Sequence, residues 1–455
     1  MGEKSERNYK HNRGGVGVPA VSRVFADGTL IELIYSSHDR TTAFAVWWAG
    51  QLSIEPHFET INGEKLVPFS PDNNLIKNEV VLLPSEASVY GSEEQLLSDI
   101  QDFIHRYADL SPTFEQVATY YVVLSWLHDA FNELPYLRLR GDFGTGKTRA
   151  LLTIGSICYK AFFASGASTV SPIFHTLDAF RGTLVFDEAD FRFSDEQAEI
   201  VKILNNGNVR GVPVLRTMMN RNREFNPQAF QVFGPKIVAT RSSYDDRGLE
   251  SRFLTEDMGG RRLREDIPIN MPPAFKEEAR ELRNKLLLYR FHRRATAVLD
   301  DSLANPALEP RLNQILTPLL SVVSAPSLRA EITAVAATAQ ASLVAERGFS
   351  SEAQLLEIVI ELMSAEQATI TVAAITAGMI DRYGAEYERP ITNRWIGGLL
   401  RKRLNIRTYK SHGVYVVPLS ERGKVEQLCT RYGIEGHKKD PNGIQSGDVG
   451  TSGTV

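Results

Sequence analysis

Two things are scarce in this sequence: cysteine and long uncharged apolar segments. Only two of the 455 residues are cysteine, Cys158 and Cys429, and their spacing forms neither a metal-binding nor a redox motif. The most apolar stretches are interrupted by Lys160 and Glu361, so none of them predicts a membrane span. The first fifteen residues are polar and basic and lack the apolar region of a secretory signal. We therefore expect a cytoplasmic protein with no membrane association.

An excess of charge of either sign is also absent. Lysine and arginine number 51 against 55 aspartates and glutamates, which gives a formal net charge of −4. Any attraction to nucleic acid would therefore come from local basic patches. The hydrophobic fraction of 43% and the charged fraction of 23% are those of an ordinary globular protein. The length suffices for about two to four domains.

A phosphate-binding loop is predicted at residues 141–148, which read GDFGTGKT. The segment matches G-x-x-x-x-G-K-[ST], follows an apolar strand at 136–139 and precedes a helix at 149–157. Glycines let backbone N–H groups turn toward phosphates beside a helix N-terminus, where Lys147 reaches the β- and γ-phosphates and the Thr148 hydroxyl binds Mg²⁺. A glycine-rich turn that matches by chance is the alternative. The residues expected to bind the nucleotide are Gly141, Asp142, Phe143, Gly144, Thr145, Gly146, Lys147 and Thr148.

An acidic motif follows at residues 183–190, which read TLVFDEAD. We expect Asp187, at the end of an apolar strand, to hold Mg²⁺, and Glu188 to orient and deprotonate the attacking water. An acidic strand end without a role is the alternative. Lys147 and Asp187 are 40 residues apart, which leaves room for one helix and one strand between the motifs. This spacing, and the lack of further helicase motifs, argue against a DEAD-box RNA helicase.

A basic hairpin is predicted after the acidic motif. Its arms are residues 212–218 and 224–233, and its tip is polar. Arg216, Arg221 and Arg223 cluster there with little compensating acid. In a ring-shaped motor such a hairpin faces the central channel and contacts nucleic-acid phosphates. A solvated basic turn is the alternative.

The C-terminal region predicts a winged helix-turn-helix. Two helices, a basic helix at 389–404 and a small hairpin follow one another, and the third helix of such a domain enters the major groove. Residues 388–424 contain nine lysines and arginines against two glutamates, so the local charge is positive. We expect Arg394, Arg401 and Lys402 to contact DNA. A winged helix that docks a protein is the alternative.

The chain as a whole is expected to combine an α/β P-loop core with three additional domains. An N-terminal β-rich domain is predicted from strands at 29–35, 42–48 and 79–83, which are separated by turn signals. The predicted order is a disordered tail (1–15), the β-rich domain (16–90), a helical lead-in (91–135), the P-loop ATPase core (136–265), a helical lid (270–346), the winged helix (351–435) and a second disordered tail (436–455).

From residue 136 to about residue 346 the chain resembles AAA+ ATPases carried by phages, plasmids and other mobile elements. The resemblance rests on GDFGTGKT, TLVFDEAD, VKILNNGNVRG, FGPKIVATR and LESRF. Together with the predicted winged helix, the layout is similar to the self-loading helicases of mobile resistance elements, which are minichromosome-maintenance-like. The resemblance implies a hexameric ring that moves on DNA at an origin or a replication fork. It does not cover the N-terminal β-rich domain.

The resemblance also implies roles for a threonine and an arginine. Residues 236–240 look like the sensor 1 strand, in which Thr240 would hydrogen-bond the γ-phosphate or the attacking water, although many relatives have asparagine there. Residues 244–253 look like a helix that ends in an arginine finger, with Arg252 as the finger and Arg247 as the alternative. A finger completes the active site of a neighbouring subunit. A surface ion pair is the other role open to Arg252.

The helical block after the core looks like the lid of AAA+ proteins, and Arg311 is its candidate sensor 2 arginine; an ordinary surface arginine is the alternative. The sequence thus predicts an ATP-hydrolysing, DNA-dependent motor, a translocase or helicase acting in the replication of a mobile element, with ATP and Mg²⁺ at its active site. Two other functions remain open at this point. One is an ATP-gated DNA-binding regulator or initiator, and the other is a protein remodeller.

Overall fold

The structure, a computed structural model, describes residues 17–189, 195–219, 225–244, 246–260, 263–348, 350–365, 370–387 and 389–434. The chain divides into one unit up to Ala337 and a second unit from Thr338. In the described ranges, no helix is both long and apolar enough to span a membrane. The predicted terminal tails at 1–15 and 436–455 lie outside the described residues.

Two small sheets form the N-terminal part of the first unit. Their strands are β1 (Val18–Ala20), β2 (Ser22–Val24), β3 (Leu30–Ser36), β4 (Thr41–Trp48), β5 (Gln51–Glu55), β6 (Phe58–Glu59) and β7 (Lys65–Pro68). Strands β2 to β5 pair in sequence order as an antiparallel sheet, and β7 pairs with both β1 and β6. Side chains alternate between the faces, so Leu30 packs toward the helices while Ile31 packs against Phe44. The strands predicted near 29–35 and 42–48 are present.

The strand predicted at 79–83 is wrong, because this segment is a loop. It follows a one-turn helix, α1 (Asn74–Lys77), and the backbone N–H of Val81 donates to the carbonyl of Leu75. Glu79 adopts a φ of 51°, which no regular strand contains. Val81 makes a single antiparallel bridge to Phe162. Val81 and Leu83 of the loop are buried against the core, which explains their apolar character without strand pairing.

Helices α2 (Glu93–Tyr107) and α3 (Pro112–Leu127) connect these sheets to the central part of the unit. Ser92 and Ser111 cap the two helices by accepting hydrogen bonds from backbone N–H groups three residues later. Nearly every side chain of α3 is buried, so it is a core helix with no polar face.

A five-stranded parallel sheet forms the centre of the first unit. Its region of the chain contains β8 (Tyr136–Arg140), α4 (Lys147–Ser156), β9 (Phe162–Ser165), α5 (Val170–Phe180), β10 (Leu184–Asp187), α6 (Asp195–Asn206), β11 (Val214–Met219), β12 (Phe225–Phe230), β13 (Lys236–Thr240), α7 (Arg247–Glu250) and β14 (Phe253–Asp257). The strand order is β14-β8-β13-β10-β9, with every neighbouring pair parallel. The predicted α/β P-loop core is confirmed. Loops at the carboxyl ends of parallel strands meet at one edge, where open α/β sheets bind ligands.

The long helix predicted at 244–253 is wrong. Only the four residues of α7 are helical, and Phe253 begins β14, the edge strand of the sheet. Glu250, at the end of α7, accepts a hydrogen bond of 2.7 Å from Arg138 of β8, which ties the short helix to the sheet. Three of the five residues of β14 are polar, and this composition hid the strand in the sequence.

Three helices complete the first unit and lead into the second: α8 (Ala274–Arg293), α9 (Pro310–Val322) and α10 (Pro326–Gly348). Leu286 of α8 and Leu316 of α9 belong to the same hydrophobic core as Leu137 and Ile237 of the central sheet. The helical block that was predicted as a lid therefore shares one core with the P-loop sheet.

A buried group of charged residues joins the N-terminal sheet to the helices. Glu32 of β3 lies 2.8 Å from both Lys160 and Arg290, and all three side chains are at most 1% exposed. Arg290 also pairs with Asp129, at 2.7 Å. Burial disfavours the charged form of Asp129, but the guanidinium charge of Arg290 outweighs this effect. The pKa of Asp129 is therefore lowered. Tyr159 donates its hydroxyl to Glu32, so the carboxylate is fully engaged.

The second unit is a small helical domain with a three-stranded sheet. After the end of α10 it contains α11 (Ser351–Ser364), β15 (Ile370–Thr371), α12 (Val372–Tyr383), α13 (Asn393–Gly398), β16 (Tyr409–Ser411), β17 (Val414–Val417) and α14 (Arg422–Arg431). The sheet is antiparallel in the order β15-β17-β16. The predicted basic helix is shorter than expected, because α13 continues into a π-helical turn at Leu399–Arg403.

Candidate active site

The loop between β8 and α4 encloses the start of the helix as the sequence predicts. Gly146 precedes α4 with a φ of 88°, a conformation that L side chains rarely adopt. A Cβ at Gly141 would lie 2.4 Å from the carbonyl oxygen of Met258, so the backbone there tolerates only glycine. The two glycines therefore set the path of the loop over the N-terminus of the helix, where backbone N–H groups favour anions.

Lys147, the first residue of α4, folds back over this loop. Its ammonium group donates hydrogen bonds to the carbonyl oxygens of Gly141, at 2.5 Å, and Asp142, at 2.6 Å. Because these acceptors are neutral, phosphate oxygens would be stronger partners for the same charge. The side chain is thus held at the mouth of the loop.

Thr148 and Asp187 bring the two motifs together. The Thr148 hydroxyl donates a hydrogen bond of 2.8 Å to one carboxylate oxygen of Asp187, and the backbone N–H of Glu188 donates to the other, also at 2.8 Å. In the described part of the chain, no three histidine, cysteine or acidic side chains form a metal cluster. A hydroxyl and one carboxylate, completed by phosphate and water oxygens, nevertheless fit the way Mg²⁺ is held in nucleotide sites.

Glu188 has an unusual backbone conformation. Its φ is 56°, in the left-handed region, and its side chain is exposed. Non-glycine residues in this region cost on the order of 1–3 kcal/mol and concentrate at functional sites. The strained backbone directs a carboxylate into the opening beside Asp187.

These residues line an open cleft of ≈ 360 Å³ at the carboxyl edge of the sheet. Its lining comprises Phe143, Gly144, Thr145, Gly146, Lys147, Thr148, Arg149, Asp187, Glu188, Ala239 and Arg241. The structure therefore brings both predicted motifs to one place. Gly141 and Asp142 contribute through the carbonyls that Lys147 contacts.

Thr240 is the one predicted catalytic residue of β13, and it lies beside this cleft without lining it. Its side chain is 1% exposed, and its hydroxyl has no hydrogen-bond partner among the described residues. Successive strand residues point to opposite faces. Ala239 packs on the side of α4, whereas Val238 packs on the opposite side, so Thr240 shares the face of Val238.

Arg241 is a cleft residue that the sequence interpretation missed. It follows β13 directly, and its guanidinium carbon lies 3.8 Å from the ring centroid of Phe143. The sequence contained a signal for this residue, because side chains alternate between the two faces of a strand. A residue two positions after Ala239 therefore falls on the same face as Ala239.

Arg252, the predicted finger, lies at the amino ends of the sheet strands, opposite the carboxyl ends where the cleft lies. It precedes β14, whose first residue Phe253 pairs with Tyr136 at the amino end of β8, whereas the phosphate-binding loop follows the carboxyl end of β8. The two ends of β8 are four residue steps apart, which is about 13 Å at about 3.3 Å per residue. Arg252 therefore lies far from the cleft of its own chain.

The Arg252 side chain rests on polar groups of its own chain. It donates to the amide oxygen of Asn205 and, at 2.9 Å, to the carbonyl of Gly248. Burial lowers its pKa. Arg311, the candidate sensor 2 residue, donates to the same Gly248 carbonyl at 3.3 Å, so the two arginines are neighbours. The side chain of Arg247, the alternative finger, lies outside the described part of the structure.

The predicted basic hairpin is formed by β11 and β12, which pair from Val214 to Phe230. Arg216 is half-buried, because it pairs with Glu199 at 3.3 Å and stacks 4.7 Å from the ring centroid of Phe174. Arg221 and Arg223, at the predicted tip, lie outside the described residues.

In the second unit, the basic residues around α13 divide into two groups. Arg394 and Lys402 line an open surface groove of ≈ 420 Å³ together with Trp395. Arg401 instead donates to the Thr408 hydroxyl at 3.0 Å and stacks 5.5 Å from the ring centroid of Tyr415. Two of the three residues predicted to bind DNA thus share one groove, and the third packs on the hairpin.

No family model matches this sequence, and no curated protein matches it either. Among solved structures, the apo C-terminal region of NrS-1 covers 85% of this chain and 96% of its own length, with 12% identity and a TM-score of 0.35. The active helicase Cch of SCCmec type IV covers 90% and 80%, with 10% identity and a TM-score of 0.38. A full-length MCM homolog from Methanopyrus kandleri covers 66% and 68%, with 10% identity and a TM-score of 0.36. Likenesses at such TM-scores assign no function to this chain.

Proposed function

We propose that this chain is an ATP-hydrolysing, DNA-dependent motor of the AAA+ type that works as a ring of identical subunits. The observation that carries the proposal is the meeting of Lys147, Thr148, Asp187 and Glu188 at one cleft, with the Thr148 hydroxyl 2.8 Å from the Asp187 carboxylate. Two separate sequence motifs contribute these groups. Together they can bind a nucleoside triphosphate and activate a water molecule.

The proposed hydrolysis gives each group one task. Lys147 exchanges the loop carbonyls for oxygens of the β- and γ-phosphates. Mg²⁺, held by Thr148 and Asp187, would neutralise charge on the phosphates. Glu188 orients a water molecule and accepts its proton as the water oxygen attacks the γ-phosphorus. The bond between the γ-phosphorus and the bridging oxygen breaks, and ADP leaves with the electron pair.

The ring is proposed from the position of Arg252. An arginine about 13 Å along the strand from its own loop cannot reach its own nucleotide. The same arginine can reach the nucleotide of a neighbouring subunit if adjacent copies pack head to tail, which closes into a ring. A hexamer is the proposed size, in line with the sequence resemblance. Arg311, beside Arg252, would enter the same shared site.

DNA is the proposed polymer on which the motor works. The groove formed by Arg394, Trp395 and Lys402 combines two positive charges with an aromatic ring, which suits a nucleic-acid backbone. We assign this domain as a winged helix and the tip of the β11–β12 hairpin, with Arg221 and Arg223, as the contact in the channel. Replication of a mobile element is the proposed setting.

Glu188→Gln separates a motor from the other two functions. This change keeps the shape of the side chain and removes the base, so a motor should bind ATP, stop turning it over and stop displacing DNA strands. Glu281→Gln, an exposed change on α8, is the matched control. If the Glu188→Gln protein keeps the full DNA-dependent output of the wild type, the chain is an ATP-gated regulator. If the wild-type protein ignores nucleic acid and still hydrolyses ATP, a protein remodeller is favoured.

A further inference from the structure

We propose that Glu250 is a positioning residue for the finger Arg252, and that it acts through the short helix α7. The inference rests on the proposed function and deepens it, because it names what holds the arginine that a subunit presents to its neighbour. Glu250 lies two residues before Arg252 in the chain, and it is 5% exposed. Its task is to orient the finger and not to contact the nucleotide.

The Glu250 carboxylate is bound through both of its oxygens by Arg138 of β8. One guanidinium nitrogen donates to Oε1 and the other donates to Oε2, at 2.7 Å, so the contact is bidentate. The Nε–H of Arg138 donates to the Thr255 hydroxyl at 3.1 Å, and the guanidinium stacks 5.0 Å from the ring centroid of Phe253. Both members of the pair are buried. Arg138 is therefore held in one orientation by the sheet, and it fixes the carboxylate in turn.

Helix α7 depends on contacts of this kind for its position. It is a single turn, Arg247–Glu250, which is too short to be stable alone. Leu249 packs into the core, but an apolar contact is not directional. The Glu250 carboxylate also accepts the backbone N–H of Tyr244, at 2.5 Å. The same side chain therefore fixes the helix and the segment that leads to it from β13.

Arg252 lies between two anchors on the sheet. On one side, its backbone carbonyl accepts the N–H of Tyr136, at 2.9 Å, and the next residue begins β14. On the other side, the chain comes directly from α7, which Glu250 ties to β8. To reach a neighbouring subunit, the arginine must exchange its own side-chain hydrogen bonds for contacts with the nucleotide, so the two anchors then direct it. Loss of Glu250 removes one anchor and leaves the finger present but misdirected.

The experiment compares ATP turnover with ATP affinity in a variant that replaces the whole ion pair. Removal of Glu250 alone would leave the Arg138 guanidinium buried without its charged partner, which destabilises a fold. The variant therefore combines Arg138→Met with Glu250→Leu, because apolar residues of similar volume preserve stability at the site of a buried ion pair. A catalytic group misplaced by about 1 Å costs about 100-fold in rate, so we expect kcat to fall about 10- to 100-fold. ATP affinity, measured with Glu188→Gln added so that ATP is not consumed, should change less than about twofold.

Mixtures of subunits show on which side of the interface the defect lies. A subunit with a misdirected finger keeps its own cleft, so it should regain turnover beside Glu188→Gln subunits, which supply an intact Arg252. It should gain nothing beside Arg252→Ala subunits, because neither protein then supplies a well-placed finger. A merely structural role would reverse this pattern. Arg138 lies three residues before the phosphate-binding loop, and a variant with a damaged cleft would lend its finger to the intact clefts of Arg252→Ala subunits.

The matched control is Asp257→Asn, which breaks an exposed ion pair with Arg140 of the same strand β8. It should change kcat less than about twofold, because exposed pairs contribute little. Glu250→Gln, which keeps the shape of the side chain and removes its charge, is tested in the same mixtures and should show the same pattern with a smaller loss. The inference is overturned if both variants of the pair turn over ATP at the wild-type rate, or if Arg252→Ala subunits rescue them.

Failure of this inference is distinguishable from failure of the proposed function. Full activity of Arg252→Ala alone would refute the finger itself, and with it the shared site on which the inference rests. An inactive Arg252→Ala protein together with fully active variants of the Arg138–Glu250 pair would refute only the positioning role of Glu250.

Discussion

Arg252→Ala tests the shared active site most sharply. The arginine lies about 13 Å along the strand from its own phosphate-binding loop, so within one chain its loss should leave the cleft intact. Fingers contribute on the order of 10³- to 10⁵-fold to turnover. To enter a neighbouring site, this arginine must give up its hydrogen bonds to Asn205 and Gly248, each worth about 1 kcal/mol. We therefore expect a loss near the lower end, about 10³-fold in kcat.

The assay is steady-state ATP turnover at matched subunit concentrations. Arg252→Ala and Glu188→Gln proteins should each be inactive alone, and mixing them should restore measurable turnover. Restoration is expected because a cleft with an intact Glu188 then meets an intact Arg252 of a neighbour. Asn205→Ala is the control, since it removes a partner of the finger and keeps the finger itself; its turnover should not fall. Full activity of Arg252→Ala alone, or no recovery in a mixture whose subunits assemble, would refute the reasoning.

The remaining predictions concern the loop, the buried charges and pH. Gly141→Ala should abolish ATP binding with little loss of stability, because a Cβ would lie 2.4 Å from the Met258 carbonyl oxygen and displace the loop. Calorimetry measures the ATP affinity, and a normal affinity would contradict this prediction. Glu32→Gln should lower the free energy of unfolding by about 3–5 kcal/mol, because it leaves Lys160 buried and unneutralised. Denaturant unfolding measures this loss. The control Glu281→Gln should change the free energy of unfolding by less than about 0.5 kcal/mol. Burial lowers the pKa of His128 from 6.5 to about 4. Between these pH values the folded chain binds fewer protons than the unfolded chain. The stability of the fold therefore falls as the pH drops through this range. Relative to His128→Gln, the wild type should lose about 3 kcal/mol from pH 7 to pH 4, and parallel stability curves for the two proteins would disprove this assignment.

The central sheet and the conformation of the predicted phosphate-binding loop were predictable because local sequence determines them. Glycine spacing fixes the loop, and the β-branched run at 236–240 is β13 with the same bounds. The edge strand β14 was missed because three of its five residues are polar, and only its pairing with β8 makes it a strand. The loop at 79–83 was misassigned for the opposite reason, since burial against the core, without strand pairing, accounts for the apolar residues Val81 and Leu83.

The limits of prediction at the site are also physical. The sequence predicted a functional residue at the end of β13, but which of Thr240 and Arg241 lines the cleft depends on the face that β13 presents to α4. Likewise, the basic character of the hairpin was visible, whereas the pairing of Arg216 with Glu199 depends on a helix that precedes it in the chain. Long-range packing, not composition, decides each of these outcomes.

The central claim is that the cleft around Lys147 hydrolyses ATP in response to DNA. The most direct measurement is the rate of ATP hydrolysis as single- or double-stranded DNA is titrated into the wild-type protein and into Lys147→Ala. The account predicts a wild-type rate that rises with DNA and saturates, and no turnover by Lys147→Ala at any DNA concentration, because the ammonium contact with the phosphates is lost. A wild-type rate that does not respond to DNA, or a Lys147→Ala rate equal to that of the wild type, would contradict it.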